Sequence, residues 1–273
     1  MTKRRDFFKY TAAAAVVGSI HALPKIVFSD EMPLTLGMAS YTLRKFSLPD
    51  CLKMTARLGL NKIAFKSFHL PLESSRDEIL AAVKMVKEAG LDLYGAGVIY
   101  MQNEKQVDQA FAYCQAAGVQ VMIGVPNHEL LDLVEEKAKS FDLIVAIHNH
   151  GPGDALYPSP ESVYRLIEHR DRRLGLCLDV GHTQRIQLDP AVEFEKYHDR
   201  IYDLHIKDVS ESSPAGNTVE IGRGVIDIPK LIRVLIKYHY QGIVSLEYEK
   251  DEDDPLPGAA ESIGYLRGVL RNM

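Results

Sequence analysis

Four apolar runs in the second half of the chain each close on a side chain that can bind a metal ion or move a proton. Residues 143–147 run into His148, 174–178 into Asp179, 201–204 into His205 and 243–246 into Glu247. His150 follows His148 by two positions, His182 follows Asp179 by three, and Lys207 follows His205 by two. A mixed imidazole and carboxylate set suits Mn2+, Co2+, Fe2+ or Zn2+ better than Ca2+ or Mg2+. With an open coordination position such an ion polarises a carbonyl, and a nearby base can then remove a proton. Each residue alone has a plainer reading. A strand-end histidine is commonly structural, Asp179 could cap its loop, and Glu247 could pair with Lys207 or Arg223. Ligand types closing four successive strands are what point to a metal.

These residues need a scaffold that gathers strand ends. Strand-like runs at residues 34–40, 62–66, 92–99, 120–125, 143–148, 174–179, 201–206 and 243–247 alternate with amphipathic stretches. Continuous Leu, Ile, Val and Ala mark strands buried on both faces, as in a parallel sheet. Over 78–89, Ile79, Val83 and Val86 recur at helical spacing, with Gly90 as the stop; 107–117 ends likewise at Gly118. Ser159 with Pro160 reads as an N-cap followed by proline at the first helical position. Residues 228–238, with Leu231, Val234 and Leu235, are expected as the seventh helix. Eight such alternations predict an α/β fold, a single (β/α)8 TIM barrel. A doubly wound sheet would follow its first strand with a glycine-rich loop, and here Tyr41-Thr42-Leu43-Arg44-Lys45 follows instead.

Strand C-termini converge on one face of a barrel. Lys66, His148, His150, Asp179, His182, His205, Lys207 and Glu247 are expected there, with His69, Arg223 and Glu249 in the loops just beyond. Lys66 ends the second strand among apolar neighbours, where a lysine has a lowered pKa and can act as a base or bind a substrate oxygen. His69, Lys207 and Arg223 are candidates for substrate contact.

At 273 residues, 46% hydrophobic and 25% charged, the composition fits one large globular domain. A net charge of −5 without a basic cluster in the body argues against nucleic acid or an anionic membrane as partner. Cys51, Cys114 and Cys177 are odd in number and widely spaced, and read as buried thiols. Lys3-Arg4-Arg5-Asp6-Phe7-Phe8-Lys9 resembles a twin-arginine export signal, followed by an alanine-rich segment too short for stable membrane insertion. Residues 1–30 are therefore read as an export leader and 31–273 as the catalytic barrel. Export places the enzyme in the periplasm; a basic tail on a cytoplasmic protein is the alternative.

Leu176-Cys177-Leu178-Asp179-Val180-Gly181-His182, His205-Ile206-Lys207-Asp208, Gly222-Arg223-Gly224 with Asp227, and Gly242 to Glu247 together resemble the sugar phosphate isomerase/epimerase family. The resemblance runs over about residues 33–271 and implies a xylose isomerase-like TIM barrel. It implies metal ligation by Asp179, His205 and Glu247, with His182 beside them. The family's fourth ligand is a carboxylate ending the fifth strand. This chain has His148 there and no acidic residue until Asp154, so one member of the epimerases' acid/base pair is lost. Lys66 and His150 are the substitutes at hand, with Glu247 as the remaining base.

The expected activity is a carbohydrate isomerase or epimerase dependent on Mn2+, Co2+ or Zn2+. It would remove a proton next to a metal-bound carbonyl, through an enediolate. The rival is a metal-dependent lyase or hydratase performing β-elimination on 3-keto sugars or glycosides, with His150 or His182 protonating the leaving oxygen. An endonuclease-like phosphodiesterase fits the acidic charge poorly, and a non-catalytic sugar-binding barrel is the minor alternative. The partner expected is a small sugar or keto sugar. Barrels of this superfamily often pair, so a homo-oligomer is compatible with the sequence.

Overall fold

The computed structural model of the chain describes residues 32–273, and the twin-arginine-like segment lies outside them. Eight parallel strands close into a barrel: β1 (Thr35–Ala39), β2 (Lys62–Phe65), β3 (Asp92–Met101), β4 (Val121–Pro126), β5 (Ile144–His148), β6 (Leu174–Asp179), β7 (Ile201–Ile206) and β10 (Ile243–Leu246). They follow chain order round the barrel, and β10 closes on β1 from Thr35↔Ile243 to Met38↔Leu246. Directly after β7, β8 (Asp208–Val209) and β9 (Thr218–Val219) form an antiparallel hairpin. The expected barrel is the fold observed. β3 runs on to Met101 because Tyr100 and Met101 still pair with Val125 and Pro126. The last strand stops at Leu246, although the Glu247 N–H still donates to Ile206 O at 3.0 Å.

The outer helices are α1 (Leu48–Arg57), α2 (Arg76–Glu88), α3 (Glu104–Ala117), α4 (Leu131–Phe141), α5 (Pro160–Ile167), α6 (Val180–Arg185), α7 (Pro190–Tyr197), α8 (Ile228–Lys237) and α9 (Leu256–Leu270). Caps explain where several begin. A capping box of Ser75 and Glu78 starts α2 two residues before its apolar periodicity. Asn103 caps α3, and Ser159 caps α5 with Pro160 at its start, as expected. Both α6 and α7 lie between β6 and β7, so the helix expected as the seventh is α8.

Strand alternation separates two apolar layers and places the site. Val145 and Ile147 of β5, Leu176 and Leu178 of β6, Leu204 and Ile206 of β7, and Val244 and Leu246 of β10 pack in the main core with the helices. The other parity faces the barrel interior. There Ala64, Tyr94, Val121, Ile123, Ala146 and Cys177 form a second, smaller core. Moving up this inner face, Ala146 is followed by His148, Cys177 by Asp179, Asp203 by His205 and Ser245 by Glu247. All four upper residues are buried. Cys51, Cys114 and Cys177 are free and buried, as the sequence suggested.

Asp208 fixes the loop over β7. Its buried carboxylate accepts the N–H groups of Val209 at 2.9 Å, Gly222 and Gly224 at 3.0 Å and Ile226 at 3.1 Å. A Cβ on Gly224 would overlap Asp208 Oδ1 and Val209 O, so that position admits glycine alone. The Lys-Asp and Gly-Arg-Gly elements of the sequence thus form one clamp. Asp208→Ala orphans these donors and is expected to cost about 3 kcal/mol of stability. The readout is a lowered urea midpoint at unchanged slope. A loss under about 0.5 kcal/mol, the range of an ordinary surface change, would mean the loop is held by other contacts.

Candidate metal centre

One ligand atom each from His148, Asp179, His205 and Glu247 lie within 4.8 Å of one another. The barrel register explains why. Asp179 and His205 are paired neighbours on β6 and β7, and His205 also pairs with Ser245, two positions before Glu247. His148 Nε2 lies 3.2 Å from His205 Nδ1 and 3.4 Å from Asp179 Oδ2, and His205 Nδ1 lies 3.3 Å from Glu247 Oε2. Adjacent ligands about 2.1 Å from a tetrahedral ion are roughly 3.4 Å apart, so these edges suit a small divalent cation. Asp179 Oδ2 is buried and accepts no well-aligned hydrogen bond, its near contacts being the Lys207 ammonium at 3.0 Å and His148 Nε2 at 3.4 Å, so it is available as a ligand atom. The four residues fit a metal.

Lys207 balances the acidic side. Its ammonium, on a side chain 3% exposed, lies 3.0 Å from Asp179 Oδ2 and 2.6 Å from Glu247 Oε2, and also binds Glu249. Burial disfavours its charge, yet Asp179, Glu247 and Glu249 outweigh burial and hold its pKa well above the ordinary lysine value. Burial likewise opposes ionisation of Asp179, but Lys207 and His182 keep its pKa well below the carboxylate range. Glu247 is kept low against burial by His205 and Lys207. The two imidazoles diverge. Burial drives His148 down to about 3, whereas Glu247 and the carboxylates around His205 overcome burial and raise it.

His150 and His182 stand next to the cluster. Their ring centroids lie 4.4 Å and 5.9 Å from that of His148, and each has a buried Nδ1 without a hydrogen-bond partner. Burial lowers both pKa values. Gly151 lets the chain turn past His182, with a φ of +74° and a Cβ position 2.7 Å from His182 O. Lys66 donates to Val98 O at 2.9 Å. Burial lowers its pKa, and only part of that shift is offset by Glu247. A pocket of about 360 Å3 opens beside the cluster between His182, Arg185, Lys207, Asn217, Thr218 and Glu249.

Two candidates for substrate contact are engaged elsewhere. His69 is buried, with Nδ1 3.0 Å from Ser40 Oγ and Nε2 3.2 Å from Leu43 O. Arg223 points to Glu261 on α9, with Nη2 2.8 Å from Oε2. Lys207 is at the centre, bound to carboxylates. Sequence reading missed Asp203 and Tyr100. Asp203 lies on the inner face below His205, with Oδ2 3.7 Å from Nε2, where a ligating histidine's second nitrogen commonly meets a carboxylate. Tyr94 donates to its Oδ1 at 3.1 Å, and burial raises its pKa to about 6. Period two from His205 back to Asp203 was the available signal. Tyr100 Oη lies 3.0 Å from His150 Nε2; it became visible once β3 extended past Ile99.

Residues 51–269 match the model of a family described as the xylose isomerase-like TIM barrel. The rhizopine catabolism protein MocC of Rhizobium meliloti is 27% identical over 154 residues, 51% of this chain and 46% of its own. The inosose dehydratase of Glaesserella parasuis is 29% identical over 163 residues, 52% of each chain. The chain thus spans about half the length of the curated relatives it matches. Among solved structures, a D-tagatose 3-epimerase-like protein superposes with a TM-score of 0.72 at 17% identity, covering 88% of this chain and 98% of that one. The 3-keto-D-glucoside 4-epimerase YcjR from E. coli gives 0.69 at 16% identity, covering 86% and 99%. At these identities the likeness is one of fold.

Lys207→Met leaves the buried Asp179 and Glu247 carboxylates without their cation. In metal-free protein it is expected to cost about 3–5 kcal/mol in urea unfolding, with Zn2+ or Mn2+ recovering much of the loss by binding the folded state. A loss below about 1 kcal/mol would show the carboxylates neutralised by protonation or water instead.

Proposed function

The chain belongs to the xylose isomerase-like TIM barrel family, and within it we propose an enzyme that removes a proton beside a keto-sugar carbonyl and expels a β-leaving group. His148, Asp179, His205 and Glu247 would hold Mn2+, Co2+ or Zn2+. That ion would polarise the carbonyl and acidify the adjacent C–H. The observation that carries the reading is His148 on β5, a buried imidazole in place of a carboxylate, which leaves Glu247 as the one carboxylate base of the expected pair.

Glu247 is present as the carboxylate that could accept the proton, kept ionised against burial by His205 and Lys207, which also weaken it as a base. An elimination needs that proton, or another, delivered to the departing oxygen. His150 and His182, neutral by burial and with unpartnered Nδ1 atoms, can relay it by accepting at one nitrogen and donating at the other. The relatives' names, an inosose dehydratase and a 3-keto-glucoside epimerase, support keto-sugar chemistry. Epimerisation is the second reading. It is favoured by Lys66, whose lowered pKa would make it a second base near Glu247. The proposal also places the enzyme outside the cytoplasm, on the paired Arg4 and Arg5, where glycosides are commoner substrates than phosphorylated intermediates.

The test is proton NMR in D2O of the Mn2+-supplemented protein with a 3-keto-glucoside and with free ketoses. Loss of the anomeric leaving group with formation of an enone or its hydrate is the expected result. Deuterium entering a ketose beside its carbonyl, with a new sugar forming, would establish epimerisation instead. No exchange on any carbonyl sugar would defeat both. Chelation should abolish turnover and Mn2+, Co2+ or Zn2+ restore it. Glu247→Gln should lower kcat by about two to four powers of ten, and full activity would remove Glu247 from the reaction.

A further inference from the structure

The mouth of the barrel has two unlike halves. The ends of β5, β6, β7 and β10 carry the imidazoles and carboxylates. The ends of β3, β2 and β1, consecutive neighbours in the barrel, present Tyr100, Phe68 and Tyr41. Phe68 is 56% exposed and Tyr100 48% exposed. Large apolar faces left in water at a functional mouth oppose folding and call for a reason.

The rings are held in two groups. Tyr41 and Phe68 have centroids 5.9 Å apart, and the Arg44 guanidinium carbon lies 4.7 Å from the Tyr41 centroid. The Lys66 ammonium lies 5.6 Å from the Tyr100 ring, which stacks on His150 at 5.7 Å. Since His150 in turn lies 4.4 Å from His148, the aromatic surface begins two side chains from the metal ligands. His69 supplies the rigidity. By bonding Ser40 and Leu43 it ties the turn bearing Phe68 to the turn bearing Tyr41. The Lys66 N–H adds a bond to Ser40 Oγ at 2.8 Å, and Arg44 Nε binds Glu252 Oε2 at 3.0 Å.

The geometry points to a second sugar subsite, in which Tyr41, Phe68 and Tyr100 receive the non-reacting pyranose ring of a glycoside while the reacting ring lies at the cluster. A pyranose has an apolar C–H face and a polar hydroxyl edge. Fixed aromatic rings match the face at low entropic cost, and the Lys66 ammonium, which gives one of its N–H bonds to Val98 O, supplies donors for the edge. A monosaccharide held at the cluster would leave these rings uncovered. The inference rests on the keto-sugar reading above, so its test is one of binding, separate from turnover.

The chain has no tryptophan, so Phe68→Trp introduces a single indole as reporter. In metal-free protein, a β-linked glucose disaccharide should shift the indole emission saturably, and free glucose should do so about 10-fold more weakly, the difference made by one stacked ring. In the loaded enzyme, Phe68→Ala should raise KM for a 3-keto disaccharide about 10-fold with little change in kcat. Saturable emission shifts without turnover of any keto sugar would uphold the subsite while defeating the reaction. Turnover of keto glycosides with an unresponsive indole and an unchanged KM would defeat the subsite while leaving the reaction standing. An emission shift that follows protein concentration instead of sugar would give the surface to a second copy of the chain and overturn the proposal.

Discussion

The centre of this molecule depends on the ammonium of Lys207 being buried among acids. Asp179 and Glu247 lie at the mouth of a low-dielectric barrel, where uncompensated carboxylates would either protonate or unfold the site. Lys207 lies 3.0 Å from the first and 2.6 Å from the second, and the two carboxylates therefore stay charged. Charged carboxylates are what a divalent ion requires of its ligands and what a proton-abstracting base must be. One buried cation thus serves both the stability of the ligand-free fold and the readiness of the site.

Everything around that centre follows from strand parity. Asp203, His205 and Lys207 share one face of the chain leaving β7, and Ser245, Glu247 and Glu249 do the same beyond β10. The lower member of each series joins the Tyr94 network, through an Asp203 contact at 3.1 Å and a hydrogen bond to Ser245. The middle member enters the metal cluster, and the upper member reaches the opening. The opposite parity, Leu204, Ile206, Val244 and Leu246, packs with the helices. A one-residue slip would exchange these two sets and remove core and site together.

The site's chemistry turns on an asymmetry between two histidines. His148 is driven neutral by burial, while His205 is drawn toward the charged form by Glu247 and Asp203 despite its burial. A metal ligand must be unprotonated. Were the cluster to take up an ion, the proton released would come mainly from His205, whose Nε2 lies 3.7 Å from Asp203 Oδ2. The other half of the mouth has no such charge economy. Its rings are fixed by hydrogen bonds of His69 and Arg44 and offer shape and apolar area.

Sequence by itself determined the barrel and most of the cluster. Two-sided burial of parallel strands writes itself as continuous apolar runs, and His148, Asp179, His205 and Glu247 each interrupt such a run at its end. The strands at 174–179 and 201–206 were legible to the residue, because charged or polar groups and a helix or loop begin at their limits. Only tertiary structure decided which side chains remain available. His69 and Arg223 have the right chemistry and nearby positions, but their polar atoms are satisfied by Ser40 and Leu43 and by Glu261. Lys207, Asp203 and Tyr100 gain their roles from partners 40, 109 and 50 positions away, Glu247, Tyr94 and His150 in turn. Local pattern records which face a residue takes; which groups meet across a closed barrel is set by register and closure, and the sequence states those only through the fold.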